Sequence, residues 1–381
     1  MTRLLINGRY TLQRTTGVQR VAREIVAALD RRLAACGAAD LQARGVQGVT
    51  LLLPPDAPDQ GLAQVAERRV PGPQRPHLWE QWALPRAARD GMLINLCGAA
   101  PAFLAGAQAC VIHDAAVFDH PEAYTTAFVR WYRWLFAHHA RRGTRLITVS
   151  AFSRQRLARA LAVPPERFAL MPLAADHLER TPLDPGALAR LGLAGRRFVL
   201  AVASANPTKR LDQLVRVWAG LARGDASLVV AGGVDRRVFA GPGMPAARGV
   251  LPLGPVDDLT LKALYTSALG LVSPSVYEGF GLPPLEAMAC GCPVAAARAA
   301  SLPEVCADAA LWFEPDDDRA LAAAITALLD DDARRADLRR RGLQQAARFR
   351  WDRSVDALLD ALLPVAAGAA GRAATGPELA A

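Results

Sequence analysis

The sequence predicts an α/β protein built from two doubly wound domains. Short apolar segments alternate along the chain with amphipathic helical patterns, which is typical of βαβ units and parallel sheets. The chain has 381 residues, more than one hydrophobic core usually supports, so two domains are expected. About half of the residues are apolar and a fifth are charged, as in an ordinary globular protein.

The first half of the chain contains the pattern of one parallel sheet. Strands are predicted at residues 4–6, 49–53, 92–96, 110–112 and 146–149. After the first strand, Val21, Ile25 and Leu29 share one stripe of a helix, with charged residues opposite. Ser150 is the expected N-cap of a helix over residues 151–161. We expect residues 1–180 to form an N-terminal domain.

The pattern starts again in the second half, after a Pro- and Leu-rich connection at about residues 171–196. Strands are predicted at residues 198–203, 227–231, 269–273 and 293–296, and helices at 211–221, 284–290, 319–328, 333–347 and 353–363. We expect a C-terminal domain over 195–350, a helix over 351–365 that crosses back to the first domain, and a disordered Ala/Gly-rich tail over 366–381.

Several function classes are disfavoured by what the sequence lacks. No apolar run is long enough to span a bilayer, and the first residues have no signal-peptide pattern, so we expect a cytoplasmic protein. The six cysteines have no framework or zinc-site spacing and are expected to be reduced packing residues. No G-x-G-x-x-G or Walker loop follows a predicted strand, which argues against a nicotinamide dehydrogenase and a P-loop NTPase.

The net charge of +9 comes almost entirely from arginine. Such a charge favours anionic partners, but composition alone does not choose among nucleic acid, anionic lipid and phosphorylated substrates. Only two lysines occur, Lys209 and Lys262. In a chain that uses arginine wherever charge suffices, a remaining lysine is a candidate for a role that needs a compact cation.

Two glutamates mark the most informative segment, which runs from Ser275 to Gly291. A strand ends, a glycine-containing loop follows, and two prolines open a helix. The free N–H groups of Gly281 and Leu282 are expected at the positive end of that helix, where anions bind. Glu278 is predicted in the loop and Glu286 in the first turn of the helix, facing one cleft. Either glutamate alone is better explained as a turn or helix-end residue; both together favour a functional site.

The spacing of these glutamates resembles the E-x7-E motif of retaining GT-B glycosyltransferases of family 4. The resemblance implies that Glu278 lies near the donor sugar and that Glu286 accepts hydrogen bonds from the ribose hydroxyls. It also implies that the loop amides of Gly279, Phe280, Gly281 and Leu282 contact the sugar and the phosphates.

A second segment, from Ala203 to Lys209 and Arg210, resembles the loop after the first strand of the family's second domain. The resemblance implies that Lys209 holds the donor diphosphate, where a cation neutralises the charge of the leaving group, and that Ser204 and Arg210 belong to the donor site. Many relatives have a second basic residue where this chain has Ala203. Arg210 or the helix terminus could replace it, and the sequence leaves both alternatives open.

In the first half, two further matches concern the donor site. His113, followed by Asp114 at the end of an apolar strand, resembles the family's His-Asp pair, whose histidine approaches the donor sugar. Gly17, in the run Thr15-Thr-Gly-Val18, resembles an N-terminal loop glycine that lets the backbone approach donor and acceptor. The segments 78–85, 148–153 and 301–304 resemble further family signatures and are treated as fold markers.

The resemblance implies a GT-B architecture, with two Rossmann-like domains facing across a cleft. The start of the chain looks most like bacterial members that add mannose or rhamnose to cell-surface polysaccharides. We therefore expect transfer of a hexose, mannose first, from a GDP- or UDP-sugar to a saccharide or polyprenol-linked acceptor, with retention and without a cofactor. The alternatives are a catalytically silent sugar-nucleotide-binding protein and a GT-B phosphorylase with pyridoxal phosphate on Lys209 or Lys262.

Two acidic triplets and one aromatic helix are further candidates for a functional role. Residues 316–318 and 330–332 are predicted to be helix N-caps and first-turn acids, so no metal site is expected. The helix with Phe128, Trp131 and Leu135 also carries several arginines, which is compatible with peripheral membrane contact, although core packing is the favoured interpretation. We expect no nucleic-acid partner.

Overall fold

The computed structural model describes residues 2–37, 39–204, 206–233 and 247–363. Its contacts divide the chain into two units. Unit 1 comprises Met1–Ala115, Tyr132–Pro172 and the described residues from Trp351 onward, and unit 2 comprises Ala116–Trp131 and Leu173–Arg350. The predicted tail over 366–381 lies outside the described residues, and the predicted domain boundaries stay predictions.

Unit 1 contains a sheet that has seven parallel strands in the described part of the chain. Its strands are β1 (Thr2–Asn7), β2 (Val46–Leu53), β3 (Ala66–Arg69), β4 (Met92–Asn95), β5 (Gln108–Val111), β6 (Arg145–Thr148) and β7 (Phe168–Leu170). They are ordered β3-β2-β1-β4-β5-β6-β7. The chain therefore begins in the middle of the sheet, extends to one edge, and returns to build the other side from β4 onward.

Unit 2 repeats this plan with six parallel strands among its described residues. They are β8 (Phe198–Val202), β9 (Ser227–Ala231), β10 (Val250–Gly254), β11 (Gly270–Ser273), β12 (Val294–Ala297) and β13 (Ala310–Phe313). They are ordered β10-β9-β8-β11-β12-β13. The direction of winding changes between β8 and β11, and at such a switch point the loops at the carboxyl ends of the two strands diverge and leave a crevice for a ligand.

Helices connect the strands of both sheets. The helices are α1 (Gly17–Cys36), α2 (Ala39–Ala43), α3 (Pro76–Leu78), α4 (Leu84–Ala87), α5 (Ala116–Asp119), α6 (Thr126–Arg141), α7 (Ala151–Leu161), α8 (His177–Arg180), α9 (Ala187–Arg190), α10 (Leu211–Leu221), α11 (Asp258–Ser267), α12 (Leu282–Ala289), α13 (Leu302–Cys306), α14 (Asp318–Asp330), α15 (Asp332–Ala346) and α16 (Trp351–Leu362). A π-helical turn over Trp79–Ala83 joins α3 to α4. The α/β class with two parallel, doubly wound sheets is confirmed.

The core of unit 2 holds its sheet rigid beneath the loops that follow the strands. Val199 of β8 and Val272 of β11 are buried, and Leu214 and Trp218 of α10 and Leu328 of α14 belong to the same cluster. Burial of such side chains stabilises the fold by roughly 1.5–3 kcal/mol each. The carboxyl ends of β8 and β11 are therefore fixed points from which the next loops start.

The last helix, α16, completes unit 1. Its Ser354 hydroxyl donates to the carbonyl of Pro172 at 2.5 Å, and its Asp356 pairs with Arg32 of α1 at 2.6 Å. The Arg145 guanidinium at the start of β6 donates to the carbonyl of Ala361 at 3.0 Å. Within unit 1, α16 thus packs against both α1 and the sheet.

The aromatic helix α6 is partly core and partly surface. Leu135 and Phe136 are buried, as the favoured interpretation requires, whereas Trp134 is 45% exposed. Among the described residues, no helix has both the length and the apolar character that are needed to cross a membrane.

Candidate active site

The loop after β8 presents Lys209 at the switch point of the second sheet. The Asn206 side chain accepts a hydrogen bond from the Thr208 N–H at 2.9 Å, which caps a 3₁₀ turn over Pro207–Lys209. The carbonyl of Thr208 in turn accepts from the Val276 N–H, in the loop after β11, at 2.9 Å. The two loops that flank the switch point are therefore joined through their backbones.

Lys209 and Glu278 meet across these joined loops. Lys209 Nζ lies 2.7 Å from Glu278 Oε1, and the two side chains are 19% and 13% exposed. The Ser301 hydroxyl, beyond β12, donates to the carbonyl of Glu278 at 2.9 Å and so fixes the backbone that carries the carboxylate. The structure thus brings together a cation and an anion that stand 69 residues apart, in a position where solvent and a ligand can reach both.

A glycine sets the start of α12, the helix that follows Glu278. Gly281 is its N-cap with φ +96° and ψ 51°, in the left-handed region. A Cβ on Gly281 would lie 2.6 Å from Cδ2 of the buried Leu302, so no larger residue fits without displacing that side chain. The neighbouring Phe280 side chain is buried and contacts Phe349 edge-on at 5.7 Å between ring centroids. At Phe280 and Gly281, therefore, the backbone is the part that can face a ligand.

The position of Glu286 differs from the sequence prediction. The helix begins at Leu282 and not at residue 284, so Glu286 is its fifth residue and lies in the second turn, not the first. The prediction was wrong because the two prolines occupy the second and third helical positions, where their missing N–H groups still cost nothing. A residue in the second turn faces neighbouring helices more than the open helix end.

Glu286 is accordingly buried among partners that the sequence did not reveal. The Tyr265 hydroxyl at the end of α11 donates to Glu286 Oε2 at 3.0 Å, and His177 Nε2 at the start of α8 lies 3.3 Å from Oε1. Burial and the nearby Glu286 raise the pKa of Tyr265 well above its usual value, so this tyrosine stays a neutral donor. His177 lies in the connection between domains and Tyr265 in an unpredicted helix, and neither carries a local sequence signal.

The other predicted donor-site residues of unit 2 are dispersed. Ser204 is half-buried in the loop after β8. Arg210 has a left-handed backbone (φ +50°), and its guanidinium pairs with Asp316 rather than Glu278. Lys209 and Arg210 thus point to different partners. The roles assigned to these residues by resemblance stay predictions.

The two acidic triplets cap helices, as the sequence predicted. Asp317 accepts from the N–H groups of Arg319 and Ala320 at 2.9 Å each at the start of α14, and Asp331 accepts from the Arg334 N–H at 2.8 Å at the start of α15. Within the described residues, no three His, Cys, Asp or Glu side chains are grouped to hold a metal ion. Metal independence itself stays a prediction.

In unit 1, the two predicted site residues lie at the carboxyl edge of the first sheet. His113 follows β5, and its Nε2 lies 2.8 Å from the carbonyl of Leu96, which follows β4. Burial lowers the pKa of His113, although the hydrogen bond to Leu96 acts in the opposite direction, so the imidazole is neutral near pH 7. Cys97 Sγ lies 3.7 Å from the carbonyl of Val18, beside the exposed Gly17 that starts α1.

A buried polar cluster at the same edge was missed by sequence reasoning. Glu80 Oε1 accepts from Asn7 Nδ2 at 2.8 Å and from Arg9 Nε at 2.9 Å, and Asn7 Nδ2 also donates to Asn95 at 2.9 Å. Asn7 ends β1 and Asn95 ends β4, so the cluster ties together the strands that flank the switch point of the first sheet. The available signal was Glu80 itself, a carboxylate inside the apolar run 78–84.

Comparison with known sequences finds one matching family model and several curated relatives. Residues 189–345 match the model described as glycosyl transferases group 1. The O-antigen chain mannosyltransferase B of Escherichia coli is 34% identical over 253 residues, which cover 63% of this chain and 66% of that protein. The O-antigen chain mannosyltransferase RfbU of Salmonella typhimurium is 26% identical over 57% of this chain and 60% of its own length. The chain spans at most about two thirds of these curated relatives.

Solved structures match nearly the whole chain. Sucrose-phosphate synthase from Thermosynechococcus elongatus has a TM-score of 0.70 at 20% identity, over 94% of this chain and 97% of that one. The Anabaena protein HepE in complex with UDP-glucose has a TM-score of 0.69 at 17% identity, over 95% and 99%. Likeness at this level of identity shows the fold, and it confirms the predicted GT-B class. Residues 189–345 thus form a domain that is similar to the glycosyl transferases of group 1.

Proposed function

We propose that this protein is a retaining glycosyltransferase that moves a hexose from a nucleoside-diphosphate sugar to a saccharide or polyprenol-linked acceptor. Mannose from GDP-mannose is the first candidate, because the two O-antigen relatives are named as mannosyltransferases. The step belongs to the synthesis of a cell-envelope polysaccharide. A group 1 domain and a fold shared with sugar-nucleotide-binding structures support this proposal.

The observation that carries the proposal is the Lys209–Glu278 pair at the switch point between β8 and β11. A leaving diphosphate gains negative charge in the transition state, and a preorganised cation stabilises that charge. The ammonium of Lys209 can exchange Glu278 for the diphosphate when the donor binds. The backbone N–H groups of Gly281 and Leu282, at the start of α12, supply further donors to the phosphates.

The remaining groups act on the sugar and the nucleoside. Glu278, released from Lys209, accepts hydrogen bonds from donor-sugar hydroxyls, and Glu286 accepts from the ribose. His113, whose pKa is lowered by burial, meets the sugar as a neutral hydrogen-bonding group. Gly17, Ser204 and Arg210 complete the proposed donor site. Catalysis is then mainly positioning and leaving-group stabilisation, without a covalent intermediate, a metal or a cofactor.

Calorimetry on two variants tests these assignments. Glu286→Gln should weaken binding of the bare nucleoside diphosphate, because its proposed partner is the ribose. Glu278→Gln should leave binding of the bare nucleotide nearly intact and impair both sugar-nucleotide binding and transfer. A panel of nucleoside diphosphates in a thermal-shift assay first identifies the base, since a ligand that binds the native state raises its melting temperature. The opposite pattern in the two variants would overturn the assignment.

Two other functions are separated by simple measurements. A silent sugar-nucleotide-binding protein binds the donor and never releases nucleoside diphosphate in the presence of acceptor. A phosphorylase holds pyridoxal phosphate on a lysine, and Lys262 donates to the carbonyl of Thr181 at 2.5 Å while Lys209 pairs with Glu278. An absorbance scan of the purified protein detects a bound pyridoxal group directly, and its appearance would replace the transferase proposal.

We also propose a cytoplasmic location with peripheral contact to an anionic membrane. Phe103 is 67% exposed and Trp134 is 45% exposed in unit 1. His138 stacks on Trp134 at 5.2 Å and meets Phe103 edge-on at 5.3 Å, and the Arg142 guanidinium lies 5.7 Å over the Phe103 ring. Exposed aromatic rings beside arginines suit the interface of anionic lipids.

Sedimentation with vesicles tests the membrane contact. The Phe103→Ser/Trp134→Ser double variant should lose binding to vesicles that contain phosphatidylglycerol. Trp82→Ser is the matched control, because Trp82 is 62% exposed elsewhere on unit 1. Equal binding by all three proteins would remove the proposed contact surface.

A further inference from the structure

Three elements of unit 2 converge on the carboxylate of Glu286. It lies in the second turn of α12, while Tyr265 reaches it from α11 and His177 from α8. The Tyr265 hydroxyl is 3.0 Å from Oε2, and His177 Nε2 is 3.3 Å from Oε1. The side chains of His177 and Glu286 are each 4% exposed, so this edge of the carboxylate is shielded from bulk water.

Contacts to both oxygens define the orientation of a carboxylate. One contact leaves the group free to rotate about its last bond, whereas two contacts, one per oxygen, fix its plane. An ionised carboxylate has about four acceptor positions, so each oxygen keeps one for a further donor. His177 Nε2 approaches Oε1 to 3.3 Å, which is close enough for the imidazole to restrict the position of that oxygen. Tyr265 and His177 therefore orient Glu286 without filling its acceptor positions.

We propose that His177 is a positioning residue for the nucleoside: with Tyr265, it holds Glu286 so that the carboxylate meets the ribose hydroxyls. This inference rests on the proposed function, in which Glu286 accepts from the ribose. A site built to bond a hydroxyl discriminates strongly against an analogue that lacks it, because the buried acceptor is then left unpaired. The discrimination between ribose and 2′-deoxyribose is therefore the property that His177 sets.

Calorimetry with a matched pair of ligands measures this property. GDP and UDP are compared with their 2′-deoxy forms, for the base that the wild type binds. The wild type should prefer the ribose form by at least about tenfold, the size expected for a hydrogen bond to a charged group. His177→Leu should reduce that preference to below about threefold, even where overall affinity falls. A carboxylate that is no longer held in position does not accept the hydrogen bond from the 2′-hydroxyl.

Three further variants separate positioning from a merely structural role. His177→Gln should keep the preference, since its amide N–H can take the place of Nε2–H, and Tyr265→Phe should reduce it, also where His177→Leu does not fold. Tyr277→Phe is the control: it removes a buried hydroxyl that donates to Asp119 at 2.7 Å in the same unit and should leave the preference unchanged. General destabilisation weakens both ligands alike and leaves their ratio unaltered.

The possible outcomes separate the positioning role of His177 from the proposed function on which it rests. Wild-type preference for ribose that disappears in Glu286→Gln and in His177→Leu supports both. The same wild-type preference, retained in folded His177→Leu and Tyr265→Phe, overturns the positioning role while the transferase proposal stands. A wild type that binds no nucleoside diphosphate at all overturns the proposed function and the inference with it.

Discussion

Replacing Gly281 with alanine tests how the start of α12 is built. The new residue must keep a φ of +96°, and its Cβ would lie 2.6 Å from Leu302 Cδ2. The left-handed backbone costs a non-glycine residue about 1–2 kcal/mol, and overpacking costs about 1–3 kcal/mol. We therefore expect Gly281→Ala to lower the free energy of unfolding by about 2–5 kcal/mol, measured by urea denaturation.

A double-mutant cycle divides this loss into its two causes. Leu302→Ala removes the atom that the new methyl group would strike, so Gly281→Ala made in that background should cost only the backbone part, about 1–2 kcal/mol. Gly17→Ala is the matched control, because Gly17 has no atom within 4 Å of its ideal Cβ. If Gly281→Ala is no more destabilising than Gly17→Ala, the geometry given for the start of α12 is wrong.

Three further predictions concern chemistry and pH. Lys209→Met should lower turnover by about two orders of magnitude or more while the fold survives. Lys262→Met is the control and should keep near-normal turnover. A folded Lys209→Met variant with normal activity would show that the pair with Glu278 is only structural. Transfer should persist in excess chelator. Asparagines at residues 316–318 should lower stability but not transfer, because asparagine still caps helices. Loss of transfer in chelator that Mn²⁺ or Mg²⁺ restores would refute the metal-free mechanism. Burial lowers the pKa of His139 to about 4. Since the unfolded histidine binds a proton below about pH 6.5, His139 should make stability fall as pH drops from 6.5, by about 2 kcal/mol at pH 5, and urea titrations of His139→Asn should show a loss that is smaller by about this amount.

The sequence predicted elements well where the apolar pattern is strong and poorly at the edges of the sheets. The helices over residues 151–161 and 211–221 and the strand over 227–231 have the predicted bounds, because the helices carry a clear period or a capping residue and the strand is a continuous, buried apolar run. The Ser150 hydroxyl accepts from the Ser153 N–H at 3.0 Å as expected. The edge strands β3 and β10 were missed: β3 reads Ala-Glu-Arg-Arg, and β10 contains Pro252, which edge strands tolerate.

Some residues of the candidate site could be identified from the sequence, and others could not. Lys209 and Glu278 were found from the scarcity of lysine and the spacing of glutamates, and the loops that carry them proved to be neighbours because β8 and β11 are adjacent. His177 and Tyr265 could not be found in that way, since only the packing of α8, α11 and α12 brings them to Glu286. Local patterns identify residues that start or end an element; partners from distant elements need the fold.

The packing of α16 on unit 1 sets an order for folding during synthesis. Ser354 and Asp356 make their contacts with residues 172 and 32, so unit 1 lacks its closing helix until the ribosome has passed residue 350. All of unit 2 is translated before that moment. The nascent chain therefore holds a first sheet without its closing helix while the whole second unit emerges, and unit 2 can reach its native state first although most of its sequence comes later. A fragment that ends at residue 172 would lack the helix that covers its own last strands.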